Sequence, residues 1–347
     1  MKFRLLTMAC ALALTGWAPA THAAVTFNTF VDGSDLNSAL GNNATIGFAY
    51  AGDKFVGSVY YGNNNSQLYS TDLTGGNVAK FGSAISGFSG EIYVTSSLGI
   101  GGYGPRDVFA GSEAAGRMVR VAHDGSTQGD FVTGLSGGVR SLAFDPYGMY
   151  GNQLIVATSA GNIYTVSHTG NATLLANVGE DAEGLSFAPQ QFGGYAKGTL
   201  FVASEGSGTL RAITPGGAIS NAVTGIYGAE MVSFVPTNLG SSGNPVEGFY
   251  AANYAQNVIK AQASDFMPYL GDAIVTSETY HTVHRVHWSG SAFEVSTIGQ
   301  FPSQPEDGIF VTADVITPSV PEPETWAMVI GGMLVLPLCR RMRSRPA

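Results

Sequence analysis

Short runs of alternating apolar and polar residues recur along the chain, and three of them align with one another. Arg140–Pro146, Glu183–Pro189 and Glu230–Pro236 each end in Phe-x-Pro, and their phenylalanines, Phe144, Phe187 and Phe234, stand 43 and 47 residues apart. Each is followed by a Gly-containing turn and a second apolar run, at 153–159, 199–205 and 248–253. A third run follows within a few residues, at 162–167, 209–214 and 257–262. The first two units add a fourth run, near Ala172–Ala176 and Ala218–Val223. Period-two alternation with β-branched and aromatic residues predicts strands, not helices.

Four short strands per roughly 45 residues is the blade of a β-propeller. Closing the blades into a ring buries each sheet face on the next and leaves only short edges. Carried outward, the pattern predicts six blades and an all-β fold. The first takes Ile46–Tyr50 as its inner strand, with runs at 55–61, 67–72 and 77–81. The second takes Glu91–Thr95, Asp107–Gly111, Arg117–Ala122 and Asp130–Thr133. The fifth joins the Phe234 strand to the runs at 248–253 and 257–262. The last joins 273–278, 283–288 and 293–298 to a late inner strand, Glu306–Thr312. Seven blades or an irregular β-sandwich fit the same pattern less fully.

Composition supports this reading. Of 347 residues 47 are Gly, only 12% are charged and 44% are hydrophobic, which excludes charge-driven disorder and coiled coils. Over residues 40–313 the repeat length and pattern resemble six-bladed propellers of the NHL and senescence-marker/gluconolactonase type.

Both ends read as delivery signals. Lys2 and Arg4, an apolar stretch from Leu5 to Leu14 and Thr21-His22-Ala23 have the order of a secretory signal, predicting residues 1–23 as a signal peptide for signal peptidase. The propeller domain is then 24–313, and 314–325 a Pro-rich linker expected to be extended. Within it, Pro321, Glu322 and Pro323 precede an apolar run from Trp326 to Leu338, and Arg340, Arg341, Arg343 and Arg345 follow. Residues 326–347 thus form a hydrophobic helix and basic tail. Thirteen apolar residues rise about 20 Å as a helix, short of a hydrocarbon core of about 30 Å. The arginines favour the cytoplasmic side. This order of elements resembles the PEP-CTERM sorting signal of Gram-negative bacteria. The resemblance implies transient membrane insertion, processing by an exosortase, and display on or release from the cell surface beside extracellular polysaccharide.

Both cysteines, Cys10 and Cys339, fall in these ends, so the body has neither a disulfide nor a thiol nucleophile. Setting the charged residues of both ends aside deepens the formal net charge from −9 to about −13. Such a surface repels phosphate backbones and argues against nucleic acid.

Reading four residues before each inner phenylalanine places Arg140, Glu183, Glu230 and Glu306 at the heads of inner strands, on the same strand face as that phenylalanine. Ala44 and Glu91 complete the ring at the channel mouth. Two readings follow. Arg140 between Glu91 and Glu183 makes ion pairs that stiffen the mouth. Alternatively Glu183, Glu230 and Glu306 are metal ligands, since converging carboxylates raise one another's pKa and suit a hard cation, Ca²⁺ or Mg²⁺. The gluconolactonase resemblance implies a metal-ligand role for Glu183, with Asn253 as a candidate partner. His281, His284 and His287 cannot converge from one strand, because His284 faces away from the other two. Asp32, Asp35 and Asn37 miss the spacing of a Ca²⁺ loop, and the amide- and tyrosine-rich stretch Tyr60–Tyr69 reads as a hairpin turn. There is no G-x-S-x-G elbow, P-loop or dinucleotide fingerprint, and no catalytic residue is assigned. The expected function is that of an exported, non-enzymatic binding or adhesion module associated with exopolysaccharide. The alternative is a divalent-metal-dependent hydrolase or lactonase working at the channel mouth.

Overall fold

A computed structural model describes residues 23–316. Residues 1–22, which hold nearly all of the expected signal peptide, and the C-terminal residues from 317 on, with Pro321, Glu322, Pro323, Arg340 and Arg341, lie outside the described residues. Among the described residues no helix is long and apolar enough to cross a membrane.

The chain opens with strand β1 (Asn28–Val31) and helix α1 (Gly33–Leu40), which Asp32 caps by accepting the Ser34 N–H. Four regular blades follow. They are β2 (Thr45–Tyr50), β3 (Phe55–Val59), β4 (Asn65–Thr71) and β5 (Ala79–Ser86); β6 (Ile92–Ser96), β7 (Val108–Ser112), β8 (Ala115–Val121) and β9 (Gln128–Thr133); β10 (Val139–Phe144), β11 (Leu154–Thr158), β12 (Asn162–Val166) and β13 (Ala172–Asn177); and β14 (Gly184–Phe187), β15 (Leu200–Ser204), β16 (Thr209–Ile213) and β17 (Ile219–Val223). Each is an antiparallel meander whose first strand lies innermost.

The remaining strands are β18 (Ala229–Phe234), β19 (Gly248–Asn253), β20 (Asn257–Gln262), then after a short helix α2 (Ala263–Phe266) β21 (Ala273–Ser277), β22 (Thr282–Trp288), β23 (Phe293–Gln300) and β24 (Pro305–Val311). Here the expected grouping is corrected. The fifth sheet is β18-β21-β22-β23, and the sixth is β1-β20-β19-β24. The outer strands, the pair β19–β20 and the triplet β21–β23, are exchanged relative to the sequence reading, and β1 adds an outermost strand that the repeat did not predict. Alternation specifies that a segment is a strand, but its hydrogen-bond partner is a long-range choice. As a result the ring is closed by a sheet drawn from three distant parts of the chain, and the last two blades are interlinked.

Six hydrophobic clusters fill the six gaps between neighbouring sheets. The gap between the sixth and first blades, for example, holds Tyr250, Val258 and Val311 against Phe48, Phe55 and Val59. Phe144, Phe187 and Phe234 occupy equivalent places, each paired with the head of its second strand at Leu154, Leu200 and Ala273. Tyr103 and Tyr150, one repeat apart, accept the N–H of Leu154 and Leu200 in the next blade at 3.1 and 3.0 Å. These links lock successive sheets at the lower end of the channel. The helix α3 (Ala313–Ile316) follows β24 beneath the ring, so the first residues of the segment expected to be extended are helical.

Candidate functional site at the channel mouth

The inner strands all run from one end of the channel to the other, and their heads surround the mouth. Bulges aim several of the mouth side chains. Strand register slips between Val139 and Ser141, between Ala229 and Val232, and at Glu306–Asp307 opposite Ala251 and Asn253. Arg140, Glu230 and Glu306 therefore sit at extra residues, a device that redirects a side chain away from strict alternation. The strict alternation on which the sequence reading relied is interrupted at these heads, and Glu230 and Glu306 line the channel together with Glu183.

Arg140 is the hub of one side. Its guanidinium pairs with Glu91, with Glu113 at 3.1 Å, with Asp181 at 3.1 Å and with Glu183 at 3.5 Å. The Tyr93 hydroxyl, with one proton to donate, lies 2.8 Å from Glu91 and 3.3 Å from Glu183. Burial works against the Arg140 charge, but Glu183, Tyr93 and Glu91 hold its pKa above the ordinary arginine value. The ion-pair reading of this half of the mouth is thus visible in full.

The other side has no such hub. Glu183, Glu230 and Glu306 are 5%, 6% and 1% exposed. A carboxylate oxygen from each of Glu183, Glu205 and Glu230 lies within 4.8 Å of the others. Glu306 stands apart from that trio and accepts from Gln304 Nε2 at 2.8 Å, and the same amide reaches Glu278. The Glu230 carboxylate has neither a hydrogen-bond donor nor a cation among the described residues. Burial raises the pKa of Glu230 well above the carboxylate range, and Glu183, Glu306 and Glu278 raise it further. Glu183 and Glu306 are raised in the same direction, first by burial. Glu278, half-buried and hydrogen-bonded to Glu205, is raised to about 7.

Three carboxylates of the mouth, Glu113, Glu205 and Glu278, were missed by the sequence reading. All three directly follow a second strand, in Ser112-Glu113, Ser204-Glu205 and Ser277-Glu278. A comparison of second-strand ends would have found them. Asn253 is spent structurally, accepting the Ser303 N–H at 2.8 Å and donating to Asn257 at 2.8 Å. The histidines stay apart: His284 bonds Thr282 at 2.8 Å, and His287 bonds Asp272 at 2.8 Å.

Oxygens that all lie within 4.8 Å of one another are close enough to share one cation, and Ca–O bonds are about 2.3–2.6 Å. Mg²⁺ demands a tighter octahedron at about 2.0–2.1 Å. The donor set, all oxygen and all anionic, fits a hard divalent cation.

No family model and no curated protein matches the chain. Solved structures do. The chain is similar to the nidogen–laminin complex, at 14% identity over 76% of this chain and 83% of that one, with a TM-score of 0.52. It is also similar to a gluconolactonase from Xanthomonas campestris, at 13% identity over 83% and 87%, with a TM-score of 0.51. A streptogramin B lyase aligns at 10% identity over 81% and 74%, with a TM-score of 0.48. Identities this low show the fold alone: a six-bladed β-propeller with gluconolactonase-like structural neighbours.

Proposed function

We propose that this chain is an exported binding module that holds a hard divalent cation, Ca²⁺ or Mg²⁺, at its channel mouth. The observation that carries this reading is the Glu230 carboxylate, which is buried beside Glu183 and Glu205 and has no partner of its own. An unpaired carboxylate with little access to water and acidic neighbours is costly, and a bound cation offsets that cost. Glu183, Glu205 and Glu230 would hold the ion. When bound, it supplies positive charge and open coordination positions to an oxygen-bearing ligand. Calorimetric titration of the protein with CaCl₂ tests this: binding of one ion per chain is expected, absent in Glu230→Gln. No heat and no melting shift with Ca²⁺ would refute the cation site.

One observation favours a second reading, a metal-dependent hydrolase of the lactonase kind. Glu278, raised to about 7 next to Glu205, exchanges a proton near neutral pH and has the properties of a general base. Lactone hydrolysis that requires Ca²⁺ and disappears in Glu278→Gln would favour it over the binding role. Export rests on the terminal signals, with signal peptidase and exosortase as processing partners and extracellular polysaccharide as the surrounding matrix. Replacing Arg340 and Arg341, together with Arg343 and Arg345, is expected to leave the chain unprocessed. Unchanged processing would count against the sorting reading.

A further inference from the structure

The end of the channel opposite the carboxylates has a different chemistry. A cavity of about 460 Å³ opens there, lined by Pro146, Pro189, Pro236 and Phe310, with Lys197 as its cation and Asp314 as its carboxylate. The helix α3 forms part of this vestibule and is tied to three separate places on the ring. Glu247 accepts the Ala313 N–H at 3.0 Å, Asn238 donates to Asp314 at 2.8 Å, and Arg106 donates to the Val315 carbonyl.

Arg106 is the anomaly. It is 8% exposed, lies over the Tyr50 ring at 5.3 Å and has a left-handed backbone with φ 61°. Its Nη2 serves Val315, whereas its Nη1 is buried with no hydrogen-bond partner. No carboxylate among the described residues pairs with it. A guanidinium keeps its charge in proteins, so an isolated one in the interior calls for a counter-ion. Lys197 lines the vestibule itself and has no carboxylate partner among the described residues, its ammonium resting over Tyr147 at 4.8 Å.

The chain leaves the described ring at Ile316, one residue past the carbonyl that Arg106 holds. The next residues are Thr317, Pro318, Ser319, Val320, Pro321, Glu322, Pro323 and Glu324. They carry two carboxylates and alternate these with apolar residues and prolines, a complement to a proline-lined hollow with Lys197 in its wall and Arg106 just behind Val315. Seven residues from Val315 to Glu322 reach roughly 23 Å when extended, ample for a return to Arg106. We propose that the lower vestibule is the docking site for this chain's own segment 317–324, with Glu322 or Glu324 as the missing counter-ion of Arg106. The folded ring then retains its own Pro-Glu-Pro motif on the face opposite the acidic mouth, so that access to that motif is controlled by the propeller. This inference stands apart from the cation site.

The test uses the full chain in mild detergent and a glutamyl endopeptidase, which cuts after Glu324 and spares the Glu322–Pro323 bond. Cleavage is expected to be at least tenfold slower than in a free peptide spanning residues 316–326. Arg106→Leu should bring the rate to within about twofold of the peptide. Because that buried substitution can unfold the ring, Lys197→Glu provides a second arm: the side chain is exposed, the ring should keep its melting temperature, and cleavage should accelerate several-fold. Wild-type cleavage at the peptide rate would overturn the proposal. So would protection that persists unchanged in Lys197→Glu and in a folded Arg106→Leu, since shelter by the micelle would then be its source.

Discussion

The channel mouth has two halves built from the same strand positions, and they solve the same electrostatic problem differently. Around the second to fourth blades, Glu91, Glu113, Asp181 and Glu183 share one guanidinium from Arg140. Around the fourth to sixth, Glu183, Glu205, Glu230, Glu278 and Glu306 face each other with the Gln304 amide as a neutral donor. Arg140 and Glu230 are both strand-head residues at a bulge. Exchanging one residue type at an equivalent site thus separates a finished ion-pair network from a store of unneutralised carboxylates. The first half is complete as folded. The second calls for protons or a cation, which makes it the half that can respond to a ligand.

The comparison is broken most severely at its hub. Arg140→Met leaves four carboxylates without their cation and is expected to cost about 3–5 kcal/mol, lowering the melting temperature by on the order of 10 °C in scanning calorimetry. An unchanged melting temperature would mean that the network contributes nothing. Saturating the other half comes next. Ca²⁺ at a hundredfold excess over its Kd should stabilise the fold by about 2.7 kcal/mol, and Glu205→Gln should abolish that gain.

Glu230→Gln should have the opposite sign to Arg140→Met. Without metal at pH 8 it is expected to stabilise the protein by about 1–2 kcal/mol, because a neutral amide replaces a carboxylate that repels its neighbours. Destabilisation on chemical unfolding would show that Glu230 has a partner after all. The pH dependence sharpens the same point. Glu278 and the partly buried Asp307 are each raised to about 7, Asp307 by desolvation despite the Phe48 N–H it accepts. A carboxyl whose folded pKa is raised stabilises the fold fully below its unfolded pKa near 4, and loses that contribution as pH rises through about 7. The metal-free protein should therefore melt roughly 5 °C lower at pH 8 than at pH 5, with Ca²⁺ offsetting the difference. A melting temperature that rises over this interval would contradict the arrangement. The smallest effect belongs to Glu113→Gln, which removes a partly exposed member of the network and should change stability by no more than about 1 kcal/mol.

Much of this molecule was legible before any coordinates. The Phe144, Phe187 and Phe234 repeat named the inner strands, and their order placed Glu91, Arg140, Glu183, Glu230 and Glu306 around one opening. The carboxylates from the second strands escaped because the search followed one repeat position and not its neighbour across the hairpin. The bulges at Arg140, Glu230 and Glu306 were beyond reach for a different reason. An extra residue in a strand leaves the local alternation nearly intact, and only its pairing partner exposes the slip.

Local pattern was enough to determine an all-β ring, the number of its blades and the charge of its mouth, because each depends on residues within one repeat. Tertiary structure alone decided that 248–262 pairs with 305–311 and not with 229–234, that 28–31 closes the sixth sheet, and that Glu205 joins Glu183 and Glu230. Those outcomes depend on competition between strands far apart in the chain, all of which are equally competent to pair. Packing across the ring settles that competition, and no single segment carries the answer.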